Sequence, residues 1–270
     1  MPRTLTDVEI AGIATAHERA RVEVAPIDPP SRSRPDMTLD DAYAIQHAWI
    51  DLQVNRGAVV RGRKIGLTSR AMQQAMKIDE PDFGALLDYM FLPSGGSIRA
   101  ADHLDPKLEV ELAFVLRDDL DLADPTADDV YAATEHVVPA LELIDARSYR
   151  VHPVDGATRT VKDTISDNAA DSGIVLGDHA VRPRERDLKW VGAVMSRNGT
   201  VEETGLAAGV LGDPVLGVVW LARRLHGLGI PLRAGETVLA GSFTRPVDCR
   251  AGDEFVVDYG DLGVVTLSVV

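Results

Sequence analysis

Cysteine is nearly absent from this 270-residue sequence: Cys249 is its one thiol, which excludes an internal disulfide or a thiolate metal cluster and suits a reducing compartment. Long apolar runs are missing as well. Nothing approaches the roughly 18 consecutive residues of a membrane span, and the opening MPRTLTDVEI has no apolar segment of the kind a signal peptide needs. Both absences lead to the expectation of a cytoplasmic protein with no membrane partner. Positive charge is the scarcer sign, with 28 Lys and Arg against 42 Asp and Glu and a net charge of −14. Nucleic acid would be repelled over such a surface and is not an expected partner; an anionic small molecule would need a local cation to hold it. The sequence also lacks an HExxH zinc motif, a GxxxxGK[ST] phosphate loop, a GxSxG elbow and a GxGxxG opening a helix after a strand. The glycines of PSGGS at 93–97 therefore read as a turn, and nucleotide chemistry is not expected.

What is present describes a globular chain with an α+β organisation. Hydrophobic residues make up 45% and charged residues 26%, ordinary proportions at a length that buries a sizeable core. Thr6 and Glu9 have capping-box spacing ahead of Ile10, Ile13, Ala14 and His17 at helical intervals, which predicts a helix over 6–22. The proline-rich PIDPPSRSRP is a linker. After it, Thr38 and Asp41 open a segment with Tyr43, Ile45, Trp49, Ile50 and Leu52 on an apolar stripe that ends near Gly57. Beyond it the pattern turns strand-rich: VVRGRKIGLT, LEVELAFVL, HVVPALELI, SGIVLG, LKWVGAVMSRNG, ETVLAGSF, EFVVDYG and GVVTLSVV read as strands of a largely antiparallel body. Two helices interrupt it, one from about Thr126 to Glu135 and one opened by Asp213 and Pro214.

The segment LEVEL at 108–112 sets two acids inside an aliphatic run. Alternate residues of a strand share a face, so Glu109 and Glu111 point one way while Leu108, Val110, Leu112 and Phe114 point into a core. Glu142, flanked by Leu141 and Leu143, is a third acid in the same kind of setting. Three carboxylates without histidine or cysteine suit a hard divalent cation that keeps positions open for a chelating ligand. The competing reading is the solvated face of a one-sided sheet, which spacing alone favours. Lys64, in RGRKIGLTS, has the same ambiguity: near apolar groups its pKa would fall far enough for proton transfer, whereas most lysines reach out to water. Asp79, Glu80 and Asp82 surround the proline turn of KIDEPDFG, and DTISDNAADSG and GSFTRP are polar loops suited to holding a carboxylate.

Taken together, KIGLTSRAMQQAMKIDEPDFGALLDYMF, LEVELAFVL, PALELIDARS, DTISDNAADSGIVLG, RNGTVEETGLAAGVLGDPVLGVVWLA and GSFTRPV closely resemble the hydratase and decarboxylase branch of the fumarylacetoacetate hydrolase superfamily, from about Thr38 to the C-terminus. The expected division is an N-terminal helical region over 1–75 and a β-rich catalytic domain over 76–270, with Lys64 contributed from the boundary; the resemblance implies the superfamily's catalytic fold for the latter, and a homo-oligomer. It implies that Glu109, Glu111 and Glu142 bind Mg²⁺ or Mn²⁺, that Lys64 and Asp82, with Asp79 as a weaker candidate, handle protons, and that Ser242 and Thr244 lie near the substrate's carboxylate. Ala170 stands where some relatives carry serine, so no catalytic hydroxyl is assigned there. The implied substrate is a small unsaturated 2-oxo acid or diacid, with Asn168, Arg70 and Arg245 among its expected contacts. Arg70, Arg147, Arg159 and Arg245 are the candidates for a second carboxylate, since guanidinium binds such a group through two parallel bonds. Decarboxylation, hydration of a five-carbon substrate and a metal-binding partner without turnover remain open beside the longer hydratase substrate.

Overall fold

The computed structural model describes residues 2–270. Seven helices are present among them: α1 Asp7–Glu23, α2 Pro30–Ser33, α3 Leu39–Asn55, α4 Arg70–Met76, α5 Ala127–Ala133, α6 Val161–Ser166 and α7 Pro214–Gly227. The strands are β1 Val60–Gly66, β2 Asp82–Leu87, β3 Phe91–Pro93, β4 Gly96–Ile98, β5 Pro106–Leu116, β6 Thr134–Asp145, β7 Asp171–Leu176, β8 Gly192–Arg197, β9 Thr200–Leu206, β10 Thr237–Leu239, β11 Val247–Asp248, β12 Glu254–Asp258 and β13 Val264–Val269. One eight-stranded sheet runs β2-β1-β10-β5-β6-β7-β3, with β11 on β5, and a five-stranded sheet runs β4-β13-β12-β8-β9. The expected α+β class with N-terminal helices is what forms, in mixed sheets: β1 with β10, β3 with β7 and β4 with β13 are parallel, and the remaining pairs are antiparallel. A division at residue 75 separates β1 from β2 and β10, its two neighbours in the large sheet.

The N-terminal helices are set by their caps and fastened by buried acids. Thr6 and Glu9 close the capping box of α1, and Thr38 and Asp41 close that of α3. The face of α1 that carries Ile10, Ile13, Ala14 and His17 is buried, and Ala42, Ile45, Gln46, Trp49 and Gln53 form the buried face of α3. Between the two helices Glu18 accepts from Trp49 Nε1 at 3.2 Å and Gln53 Nε2 at 2.7 Å. Gln46 Nε2 donates to the carbonyls of Phe83 (2.8 Å) and Ile165 (3.0 Å), which ties α3 to β2 and α6. No described helix is long and apolar enough to cross a membrane.

Several elements depart from the sequence expectation, each for a local reason. The strand expected over ETVLAGSF ends at Leu239, because Gly241, at φ +119°, turns the chain away. β2 begins inside the turn expected at EPDFG, its pattern masked by Asp82 and Gly84. The loop expected at DTISDNAADSG instead holds the C-terminal part of α6, a helix opened by Thr160 and Asp163, and then three consecutive left-handed residues, Asn168, Ala169 and Ala170 (φ 49°, 51° and 61°). PSGGS is a turn, as expected, between strands that enter different sheets.

Asp41 accepts from the backbone N–H groups of Thr4, Leu5 and Thr38. Burial works to raise its pKa, but these bonds outweigh it and hold the carboxyl well below the usual range. A depressed carboxyl contributes its stability above the unfolded value and loses it as pH falls through the folded one. Asp41→Ala is expected to cost about 2 kcal/mol in urea unfolding at pH 7, with the deficit shrinking below about pH 4; an equal deficit at pH 7 and pH 3 would contradict this.

Candidate active site

The register of β5 on β6 sets Glu109 directly opposite Glu142 and Glu111 opposite Ala140. Since paired residues share a face and alternate residues return to it, the three carboxylates converge. They offer oxygens that all lie within 4.8 Å of one another. The opposite face of β5 carries Leu108, Val110, Leu112 and Phe114, each 0% exposed. Glu111 and Glu142 are also 0% exposed, which overturns the reading of a solvated sheet face. Glu111 Oε2 accepts the Gly241 N–H at 2.8 Å, whereas Glu111 Oε1 and Glu142 Oε2 have no hydrogen-bond partner among the described residues. Buried carboxylate oxygens left in this state are costly unless a cation offsets them.

Lys64 supplies one such cation. It reaches the same face from β1 through β10, pairing with Leu239, which pairs with Ala113. Its Nζ lies 2.9 Å from Glu142 Oε1. Burial works to lower the Lys64 pKa, but Glu142, Asp82, Glu109 and Asp171 outweigh it and hold the ammonium above its ordinary value. The lowered value expected from apolar surroundings is therefore corrected: the strand is apolar, but the side chain is enclosed by acids. Burial pushes Asp82 up to about 6, with Lys64 opposing. Burial, then repulsion from Glu142, pushes Glu109 up to about 7, and the same two causes hold Glu111 well above the usual carboxylate range.

Asp82 faces Gly66 across β1 and β2. A Cβ at Gly66 would lie 2.1 Å from Asp82 Oδ1 and 3.5 Å from Lys64 Nζ, so this glycine makes room for the acid beside the lysine. At Gly241 a Cβ would meet Thr68 Oγ1 at 2.4 Å; the bend there supplies the N–H for Glu111 and sends 242–246 along a cavity of about 630 Å³. Lys64, Asp82, Glu109, Ser242, Thr244 and Arg245 all line that cavity. Asp79 and Arg70 are exposed and are not among its lining residues. Nor is Asn168: its amide is spent on β2, accepting from Ala85 N at 2.8 Å and donating to Ala85 O at 2.9 Å, which fixes the left-handed turn whose Ala169 and Ala170 do line the cavity. Arg147 is locked elsewhere, on Asp167 and the carbonyl of Asp171.

Two cavity or cluster residues are not singled out by the sequence pattern. Asp171, 0% exposed and without a hydrogen-bond partner for either oxygen among the described residues, is held well above the usual range by burial and by Glu142; its only signal is an acid at the head of an apolar strand. Arg150 lines the cavity, and nothing in RSYR distinguishes it from Arg147.

No family model matches the chain. It is 49% identical over 249 residues, 92% of each chain, to 2-oxo-hept-4-ene-1,7-dioate hydratase of Escherichia coli. It is 43% identical over 240 residues, 89% of this chain and 87% of the relative, to 2-keto-4-pentenoate hydratase of Paraburkholderia xenovorans. Among solved structures, 4-oxalocrotonate decarboxylase from Pseudomonas putida G7, complexed with magnesium and adipate, superposes with a TM-score of 0.94 at 32% identity over 100% of both chains.

A carboxyl whose folded pKa lies above its unfolded one costs stability once pH exceeds the unfolded value, and increasingly so as pH rises toward the folded one. Glu111→Gln should therefore raise the Tm of chelator-treated protein at pH 8 by a few degrees, roughly what 1 kcal/mol gives at this size, and should abolish the Tm increase expected when Mn²⁺ is added to the unmodified chain. An undiminished Mn²⁺ response in the variant would remove Glu111 from the candidate ligand set.

Proposed function

The chain belongs to the hydratase and decarboxylase branch of the fumarylacetoacetate hydrolase superfamily, and from that premise we propose that it is a metal-dependent hydro-lyase that converts 2-oxohept-4-ene-1,7-dioate into 4-hydroxy-2-oxoheptane-1,7-dioate in aromatic catabolism. The observation that carries this reading is the ion pair of Lys64 with Glu142 at 2.9 Å, inside a trio of converging carboxylates and beside a cavity that Asp82 also lines. The orphaned Oε1 of Glu111 and Oε2 of Glu142 and the all-carboxylate donor set fit a hard divalent cation. Glu109, Glu111 and Glu142 would hold it, with Mg²⁺ the first choice and Mn²⁺ the second. Once bound, it would supply Lewis acidity toward the substrate's carboxylate and 2-keto oxygens.

The remaining work falls to the chain's own residues. The substrate must lose a proton from C3 and gain one at C5, which moves the double bond into conjugation with the ketone; water then adds its hydroxyl at C4, giving up one proton while C3 regains one. Asp82, with a pKa pushed up to about 6, is matched to taking and returning a proton near neutral pH. Lys64, kept protonated by the acids around it, opposes negative charge as it develops on the substrate and donates the balancing proton. Ser242 and Thr244 lie on the cavity wall and are assigned to the substrate's near carboxylate. Other copies of the chain are the proposed assembly partners, to be read by light scattering, and cytoplasmic residence suits its one buried thiol.

Lys64→Met is expected to lower kcat by about 10³-fold, within the range of general acid–base catalysis, while leaving Mn²⁺ affinity within a few-fold. Turnover is followed by loss of dienoate absorbance across five-, six- and seven-carbon substrates, with the hydrated product identified by mass. Carbon dioxide release without a hydrated product would replace hydration by decarboxylation, and turnover of the variant within a few-fold of the unmodified enzyme would remove Lys64 from proton transfer.

A further inference from the structure

Two arginines in the cavity wall have no part in the chemistry above. Arg150 and Arg159 flank a short hairpin stem: Val151 and Thr158 form an antiparallel bridge, and Arg159 N donates to Arg150 O at 3.0 Å, with His152 N to Ala157 O at 2.8 Å nearer the tip. The two guanidinium-bearing residues are thus set opposite one another, and both line the cavity that Lys64, Asp82 and Glu109 line. Like charges opposite each other on paired strands are destabilising, and here neither is fully offset. The Arg159 side chain is 7% exposed, and its contact with Asp167 Oδ2 is stretched to 3.5 Å. Asp167 is meanwhile engaged at 3.0 Å by Arg147. Arg150 reaches Asp105 Oδ2 through Nε at 2.6 Å, yet its buried Nη2 has no hydrogen-bond partner among the described residues. Burial, then the charge of Arg150, pushes Arg159 down to about 10.

The other arginines considered do not share this position. Arg245 lines the cavity, but its side chain is 83% exposed and is paired with Glu203 at 2.7 Å. Arg147 is buried against Asp167 and under its guanidinium has the ring of Trp49, 4.9 Å away.

We propose that Arg150 and Arg159 form the subsite for the carboxylate at the far end of the substrate, and so make the chain selective for a 2-oxo diacid over the corresponding monoacid. The proposal rests on the reading of the carboxylate trio as the place where the 2-oxo end is bound. A far carboxylate would accept from both guanidinium groups and relieve their mutual repulsion, whereas a methyl end would leave the buried Arg159 cation and the orphaned Nη2 of the half-buried Arg150 facing apolar chain. Sites built to bond a polar group reject analogues that lack it far more strongly than apolar pockets discriminate by size.

The test compares 2-oxoheptane-1,7-dioate with 2-oxoheptanoate, which share the near end and differ only at the far one, by calorimetric titration of magnesium-loaded protein. The unmodified chain is expected to bind the diacid at least about 30-fold more tightly, as for a buried charge-assisted pair. Arg159→Met and Arg150→Met should each shrink that ratio to within about 3-fold, with Arg159→Lys between; the same ordering is expected in the ratio of kcat/KM for seven-carbon diacid over five-carbon monoacid substrates. Should a methionine variant fail to fold, the lysine variant alone reads the effect. No diacid preference in the unmodified chain, or a preference unchanged in the variants, would overturn the subsite. Absence of turnover on every substrate, with the binding preference still lost in the variants, would fail the hydratase reading and leave the subsite standing.

Discussion

Burial of like charge governs this site. Glu109, Glu111 and Glu142 converge within 4.8 Å, Asp82 and Asp171 are 1% and 0% exposed beside them, and the nearest cation, Lys64, contacts one of these acids. An isolated buried carboxylate tends to take up a proton, and the upward shifts of Glu109, Glu111, Asp82 and Asp171 follow from that. The same crowding suits a divalent cation and keeps Lys64 charged. The proposed metal binding and proton handling are therefore two consequences of one electrostatic constraint.

The backbone is shaped to sustain it. Gly66 leaves room for Asp82 beside the lysine, and Gly241 bends the chain where β10 ends so that its N–H meets Glu111. On the far side of the sheet, Leu108, Val110, Leu112 and Phe114 are fully buried, at roughly 1.5–3 kcal/mol for each such side chain. That burial helps offset the unfavourable electrostatics of the site face. The left-handed turn at Asn168, Ala169 and Ala170 is held by two bonds from Asn168 to Ala85, a use for conformational strain at the edge of a functional cavity.

How much of this the sequence discloses follows from the range of the interactions. Caps are local, so Thr6 with Glu9, Thr38 with Asp41, and Asp213 with Pro214 mark the true starts of three helices. The two-residue period of LEVEL places Glu109 and Glu111 on one face, but its spacing is silent on whether that face is wet or dry; only the pairing with β6 and the arrival of Lys64 through β10 decide it. Family resemblance brings those distant segments together, which is why the carboxylate trio, Lys64 and Asp82 are legible while Asp171 and Arg150 are not. The environment of Lys64 shows the limit most clearly, since its neighbours in sequence are apolar and its neighbours in space are acids.

The most direct measurement is anomalous diffraction at the manganese edge from crystals equilibrated with Mn²⁺. A single strong peak within coordination distance of one oxygen each of Glu109, Glu111 and Glu142, as a hard divalent cation on carboxylates requires, is the predicted result. A peak displaced toward Asp82 and Asp171, or no peak among these acids at saturating Mn²⁺, would contradict it.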